Sequence, residues 1–446
     1  MDYQVAIEYL NSFINYEKIN RFDYGSSFRL TRMRRLAASL GDPQRSLRCI
    51  HIAGTKGKGS TAAMTASILR HAGFKTGLYT SPHLISFRER ISINDEAIGE
   101  SDLARLVSLM RPAIEGLGVS EDDRPTFFEV YTALALLFFK EKAVDLAVIE
   151  VGMGGRLDAT NIIEPLCCAI TPISLEHTQI LGATVRAIAV EKAGIVKEGI
   201  PCVSAPQEAD VAAVLRDVCA HKKSLLREVG RDILFEEEVS GASQRRLHLR
   251  VRGACGEYPH LESGLLGDHQ MVNAATAIGL VEYLRTYDII IPYSAVRDGL
   301  REVKWPGRFQ IIGPEASIIV DGAQNSASAR SLKEAVKKTF GKPRLILVLG
   351  FSQDKDIAGV CDELVPISNE VILTKAASPR AQEPEVIMRS IKKKVRVTRS
   401  VPEALALAGK LAGSDALILV TGSLFVVGEV LQLPGMNEAS HASRLS

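Results

Sequence analysis

The chain lacks the features that would commit it to a membrane, a secretory route or a polyanionic partner. No apolar run reaches the ~18–20 residues needed to span a bilayer. Met1 to Lys18 carries Asp2, Glu8 and Glu17 and has neither the basic start nor the apolar core of a signal peptide. The seven cysteines are scattered, with only Cys167 and Cys168 adjacent and no C-x-x-C pair, so neither a zinc motif nor a disulfide framework is indicated. Charge of one sign is not in excess. Lys and Arg total 54 against 52 acidic residues, a net charge of +2, which argues against a general nucleic-acid-binding surface. The basic cluster Lys392-Lys393-Lys394 reads as a solvated face. No repeat of fixed period occurs. These absences lead us to expect a soluble, cytoplasmic protein without nucleic-acid or membrane partners.

What is present is a long chain of buried-strand signals. Its 446 residues, 46% hydrophobic and 24% charged, exceed one compact core and imply at least two domains. Apolar runs of strand length recur at Cys49–Ala53, Leu146–Val151, Leu166–Ile170, Ile318–Val320, Leu345–Leu349, Val371–Thr374 and Leu417–Val420. They are nearly continuous, as parallel strands covered on both faces are. Segments such as Thr126–Lys142, Glu208–Lys222 and Asn325–Phe340 read as helices between them, so the expected class is α/β with right-handed crossovers. The turn residues Trp305-Pro306-Gly307-Arg308 break the series, and a new β-α series starts at Ala316. The expected division is a first domain over 1–304, a linker over 305–315, a second domain over 316–433 and a small polar tail over 434–446. The charged stretch from Leu225 to Glu262 contains alternating runs that suggest an antiparallel excursion from the first domain.

The segment most specific for chemistry is His51-Ile-Ala-Gly-Thr-Lys-Gly-Lys-Gly-Ser60. Gly54, Gly57 and Gly59 let the backbone turn its N–H groups toward an anion. The helical bias of Thr61 to Ala72, with Gly73 at the C′ position, places a helix N-terminus beside that turn, a site suited to phosphate. Lys58 would reach the outer phosphates, and the Ser60 hydroxyl would approach a bound Mg²⁺. The spacing departs from the common G-x-x-x-x-G-K-[ST] loop, because Gly59 separates Lys58 from Ser60. A second cluster, LAVIEVGMGGRLDATN over 146–161, ends a buried strand in Glu150 and follows it with glycines, Arg156, Asp158 and Asn161. Carboxyl ends of strands face the ligand crevice in such sheets, so Glu150 can serve a metal near the phosphates. His177 follows the next strand, and Lys192 lies on the helix after it. Read from the residues, His177 can be a loop histidine or a ligand, and Lys192 an exposed lysine or a site residue.

The segments HIAGTKGKGST, YTSPHL, TFFE, IEVGMGGRLDATN, LEHTQILG, EKAGIVK, HQMVNAATA, WPGRFQ, VDGAQN and TGSLFVVGEV follow in the order seen in folylpolyglutamate and dihydrofolate synthases, from about residue 25 to 431. The chain thus resembles that family of the Mur ligase superfamily. The resemblance implies an N-terminal P-loop ATPase domain with a mostly parallel sheet and a smaller C-terminal Rossmann-like domain. It implies an enzyme that joins L-glutamate to a pteroate or folate carboxylate with ATP and two Mg²⁺ ions, acting as a monomer on small molecules. By match to the family, Gly54, Thr55, Lys56, Gly57, Lys58, Gly59 and Ser60 form the phosphate cradle. Ser81, Glu150 and His177 match metal positions, and Lys192 a lysine carbamylated by CO₂. Lys58, Glu150, His177 and Lys192 are the expected catalytic set. Asn273, Arg308 and Asp321 match nucleotide contacts. Thr126, Phe127, Phe128, Glu129, Leu157, Asp158 and Ala159 match the pterin side, and Ser423 the incoming glutamate.

Two positions depart from the family pattern. Glu176 stands where relatives carry Asp, a modest change in reach. Gln324 stands where the pattern D-G-A-H-N-P has histidine, and an amide carries no proton charge near neutral pH. We assign Gln324 to the glutamate half of the site. Intact pterin-side segments favour a bifunctional dihydrofolate and folylpolyglutamate synthase. The competing readings are another amino-acid ligase of the superfamily, such as a muramyl-peptide or cyanophycin-type enzyme, and a non-catalytic nucleotide-binding module.

Overall fold

The computed structural model describes residues 1–19, 24–117, 124–238, 246–313, 317–413 and 416–436. The apolar runs form strands of two separate sheets. The first has eight: β1 (Cys49–Ala53), β2 (Thr76–Tyr79), β3 (Ile91–Ile93), β4 (Glu96–Ala97), β5 (Leu146–Glu150), β6 (Pro165–Ile170), β7 (Cys202–Ser204) and β8 (Leu226–Glu228). Their order across the sheet is β4-β3-β2-β5-β1-β6-β7-β8. The central run from β2 to β8 is parallel, and β3 and β4 add an antiparallel edge. Every residue of β1 and β5 is buried, because helices cover both faces. Helix Lys58–His71 packs on one face with helices His269–Tyr283 and Tyr293–Glu302; helix Phe127–Glu141 packs on the other. Each Ile, Leu or Val buried in this way contributes about 1.5–3 kcal/mol. That gain offsets the cost of ending β5 in the buried carboxylate of Glu150.

The antiparallel excursion consists of β9 (Leu234–Glu237), β10 (Leu247–Arg252) and β11 (Glu257–Ser263), a three-stranded sheet on the first domain. Its expected start at Leu225 was too early: Leu226–Glu228 joins the large sheet as its parallel edge, through pairing with β7.

The second sheet comprises β12 (Gln310–Ile312), β13 (Ile318–Val320), β14 (Arg344–Leu349), β15 (Glu370–Leu373), β16 (Arg396–Val397) and β17 (Ala416–Thr421). Its order is β12-β13-β17-β14-β15-β16, parallel except for β12. Helices cover it on both faces with two apolar clusters. Strand β12 lies inside the span read as linker, where a three-residue run is too short to show a period in sequence. Of the expected tail, residues 437–446 lie outside the described residues. The domains meet where Leu84 packs on Val427 and Gly428, and where the Trp305 ring lies over Gly59. Groups at the carboxyl ends of both sets of parallel strands lie close enough to act on one another, as His177 and Lys355 do, and the space between them is the candidate crevice.

Candidate active site

The chain leaves β1 through Gly54, at φ 145°, and reaches helix Lys58–His71 through Gly57, at φ 85°. A Cβ on Gly54 would lie 1.9 Å from Thr171 Oγ1, and one on Gly57 2.4 Å from Asn273 Oδ1, so both positions demand glycine. The N–H groups of Thr55 and Lys56 both donate to the carbonyl of Pro172, at 3.0 and 3.1 Å. They tie the loop to the segment after β6 and are committed. The first intrahelical bond runs from Thr61 N to Gly57 O at 2.9 Å. The N–H groups of Lys58, Gly59 and Ser60 therefore have no acceptor within the helix, an arrangement suited to an anion. Asn273, from helix His269–Tyr283, faces Gly57 and accepts from Thr61 Oγ1 at 3.4 Å. Its own Nδ2 donates to Gln270 Oε1 at 2.8 Å.

Around this loop the titratable groups range from buried (Glu150, Lys192) through half-buried (Lys56, Lys58, Glu176) to exposed (His177), with charges of both signs. Glu150, 4% exposed, accepts the N–H of Ser81 at 3.1 Å and forms no ion pair among the described residues. Burial raises its pKa, against Lys58, the Ser81 N–H and Arg308, so Lys58 from the loop and Arg308 from the interdomain turn both act on it. Lys192, also 4% exposed, donates from Nζ to Gly54 O at 2.7 Å. Burial first, and then Lys58, lowers its pKa to about 7. Lys56 pairs with Glu176 at 2.7 Å. Burial alone would raise the Glu176 carboxyl, but Lys56, Lys58 and His177 outweigh it and bring the pKa to about 2. His177 sits exposed at the crevice mouth with φ 53°. Its pKa is lowered by the protein wall behind it and by Lys355, Lys192 and Lys58, against Glu176. Asp321, at the end of β13, accepts from the N–H groups of Phe309 and Ala323, each at 2.8 Å, and faces Arg308 and His269.

Among the residues expected on the pterin side, several serve the fold. Thr126 and Glu129 form a capping box at the start of helix Phe127–Glu141, and Glu129 also pairs with Arg32 Nε at 2.7 Å. Asp158 is fully buried and accepts from Met153 N (2.9 Å), Thr160 N (3.0 Å) and Thr160 Oγ1 (2.5 Å). Thr160 Oγ1 in turn lies 2.8 Å from His51 Nε2; because the hydroxyl donates to Asp158, it accepts from the imidazole. Phe127 and Ala159 are buried, whereas Phe128, against Gly152, and Leu157 keep some surface. In the second domain Ser423 caps helix Leu424–Gln432 by accepting from Phe425 N at 3.2 Å and stands 3.4 Å from Ser352 Oγ. Gln324 is half-buried, and its N–H donates to Ser328 Oγ at 3.1 Å.

Lys355 and His269 were missed by the sequence reading. Lys355 follows β14, at the same carboxyl edge as Asp321 and Ser423, and acts electrostatically on Lys56 and His177. The position of FSQDKD directly after a strand was the available signal. Among the described residues no group of three His, Cys, Asp or Glu gathers as a metal-ligating cluster.

Two family models match this arrangement: the Mur ligase middle domain over residues 52–281 and the Mur ligase glutamate ligase domain over residues 307–424. The fold and crevice are those of a Mur ligase. The dihydrofolate synthase/folylpolyglutamate synthase of Bacillus subtilis (strain 168) is 34% identical over 414 residues, 92% of this chain and 96% of that protein. The folylpolyglutamate synthase of Lacticaseibacillus casei is 36% identical over 436 residues, 97% of this chain and 98% of that one. The crystal structure of the Thermotoga maritima folylpolyglutamate synthase matches with a TM-score of 0.84 at 34% identity, covering 98% of each chain. An FPGS complex with AMPPCP and folate matches at 0.82 and 32% identity, covering 97% of this chain and 99% of that one. The chain belongs to the folylpolyglutamate synthase/dihydrofolate synthase family of Mur ligases.

Proposed function

We propose that this chain is an ATP-dependent ligase that adds L-glutamate to 7,8-dihydropteroate and to the glutamate tail of reduced folates. The observation that carries the reading is the convergence of a helix N-terminus with unbonded N–H groups, Lys58, Arg308 and the buried Glu150 on one crevice. A carboxylate oxygen of the pterin substrate attacks the γ-phosphorus, ADP leaves and an acyl phosphate forms. The glutamate amine then attacks the acyl carbon, phosphate departs with the C–O bond electrons and the amine loses a proton. Lys58, the N–H groups of residues 58–60 and Arg308 neutralise the phosphoryl charge as it moves. Asn273 and Asp321 hold the nucleotide from opposite sides of the crevice. Ser423 and Gln324 receive the amino acid, and Phe128 and Leu157 flank the pterin.

The residues fit Mg²⁺. Glu150 is a buried carboxylate without an ion pair among the described residues, and the Ser60 and Ser81 hydroxyls belong to the segments around it. One carboxylate plus phosphate oxygens and water is the usual environment of that ion. When bound, Mg²⁺ supplies charge neutralisation at the phosphates. Ser81, Glu150, His177 and Lys192 would hold two such ions, with Lys192 as a carbamate. The lowered pKa of Lys192 supports that modification, because a neutral amine is what adds to CO₂. We further infer a cytoplasmic monomer. Six buried free thiols suit a reducing compartment.

Phosphate release from ATP tests the reading with 7,8-dihydropteroate plus glutamate, with tetrahydrofolate plus glutamate, and with glutamate alone. Release should require an acceptor and should occur with both. Release without acceptor would mark a nucleotidase. Silence with both acceptors would favour another Mur-type ligase or a binding module.

A further inference from the structure

Residues 14–17 take no part in the chemistry above, yet they touch both domains. The Ile14 carbonyl accepts the N–H of Phe127 at 2.9 Å, at the start of helix Phe127–Glu141. The Glu17 carboxylate grips Arg90 with two bonds, from Nη1 at 2.7 Å and from Nη2 at 2.6 Å. Arg90 is 1% exposed, lies over the rings of Phe127 and Tyr131, and donates from Nε to His83 Nδ1 at 2.9 Å. A guanidinium buried so deeply needs its carboxylate, so the strap is fixed against the wall that bears Phe128. The backbone carbonyl of the same Glu17 accepts a hydrogen bond from Arg380 Nη1, which belongs to the second domain. Arg380 Nη2 binds Asp354 Oδ1 at 2.7 Å, and the Arg380 carbonyl accepts from Gln353 N at 3.0 Å. Ser352, next along, bridges to Ala381 and stands beside Ser423. An unbroken chain of contacts thus runs from the pterin-side wall to the glutamate half.

We propose that Arg380 is a positioning residue for amide formation. Its planar fork spans two acceptors on different domains, the Glu17 carbonyl and the Asp354 carboxylate. It thereby sets the Ser352–Ser423 end of the second domain at a fixed reach from the carboxylate held by the first. The proposal rests on the functional reading given above, and the two halves of the reaction separate them. Acyl phosphate can be trapped by hydroxylamine as a hydroxamate, which needs no glutamate site, whereas product formation needs the second domain placed correctly.

The test compares full-length wild type with Arg380→Met, measuring folate-dependent hydroxamate formation and kcat/KM for glutamate, with a thermal melt confirming that each is folded. Expected is hydroxamate formation within ~2-fold of wild type and a loss in kcat/KM for glutamate of roughly 10- to 100-fold, the scale of one charge-assisted hydrogen bond. Equal losses in both steps, or no loss in either, would overturn the positioning role. Wild type that forms no folate-dependent hydroxamate would overturn the ligase reading itself.

Discussion

At the carboxyl edge of the eight-stranded sheet, Glu150 and Lys192 are each 4% exposed and have pKa values displaced by burial. At the corresponding edge of the six-stranded sheet, Asp321 and Lys355 also bring charge, but beside them stand Ser423 and Gln324, neutral groups at the starts of helices. Both edges use the same device, strand ends aimed at a ligand. The first holds charge where water would otherwise solvate it, and this costs stability that the surrounding core must offset. The Ser423 hydroxyl, by contrast, caps helix Leu424–Gln432 and so adds to the stability of the fold. Phosphoryl transfer needs preorganised charge at the reacting group. Removal of the Glu150 charge and removal of the Ser423 hydroxyl should therefore change stability in opposite directions.

The largest expected effect lies in the first half. Lys58→Ala should lower kcat by at least ~100-fold, since a preorganised charge at a developing oxyanion is worth several kcal/mol. Turnover within ~3-fold of wild type in a folded variant would remove the phosphate-loop assignment. Glu150→Gln should be similarly inactive, yet melt at the same or a higher temperature than wild type without ligand. The sign follows from its raised pKa: above the ordinary carboxylate range the folded state bears a charge that the unfolded chain solvates better, and the amide removes that cost. A clear fall in the melting temperature would contradict the strained-charge account.

A pH test sharpens the same contrast. Burial holds the fully buried His51 at a pKa of about 3, so the unfolded chain binds a proton below pH 6.5 that the fold refuses. Stability present above pH 6.5 should fall by about 1.4 kcal/mol per unit as pH drops toward 5. His51→Gln, which keeps a donor toward Thr160 without titrating, should reduce the slope in urea unfolding between pH 7 and 5 by its own share, leaving that of His177, whose pKa is also lowered. Parallel slopes would show that His51 is not the group responsible. No histidine occurs between residues 270 and 440, so the second domain offers no such term.

The smallest effect belongs to the second half. Gln324→His should change kcat/KM for glutamate by about 1 kcal/mol or less if the position works through hydrogen bonding. If it works through charge, a pH dependence near ~6–7 should appear. The KM for ATP should stay constant, because Asp321 and Arg308 are untouched. Loss of ATP affinity with an unchanged glutamate KM would place Gln324 on the nucleotide instead.

Much of the fold was legible beforehand, because buried parallel strands write continuous apolar runs, and the glycines after β1 mark the turn into helix Lys58–His71. Strands β1, β5, β13 and β14 were read within a residue or so of their ends. The short edge strands β4, β12 and β16 carry too few residues to show a period. Commitments between side chains were also hidden. Nothing local says that Lys56 meets Glu176 across 120 positions of chain, or that Arg380 reaches Glu17. These depend on tertiary proximity, which spacing does not encode.

The central claim is that charge gathered in the first half activates a substrate carboxylate for the second half to convert. Dihydropteroate labelled with ¹⁸O in its carboxylate tests it most directly, by mass analysis of the phosphate released during turnover with ATP and glutamate. The account predicts one labelled oxygen in each phosphate formed, carried over as the acyl C–O bond breaks. Unlabelled phosphate accompanying amide formation, with the lost oxygen appearing in water, would contradict it.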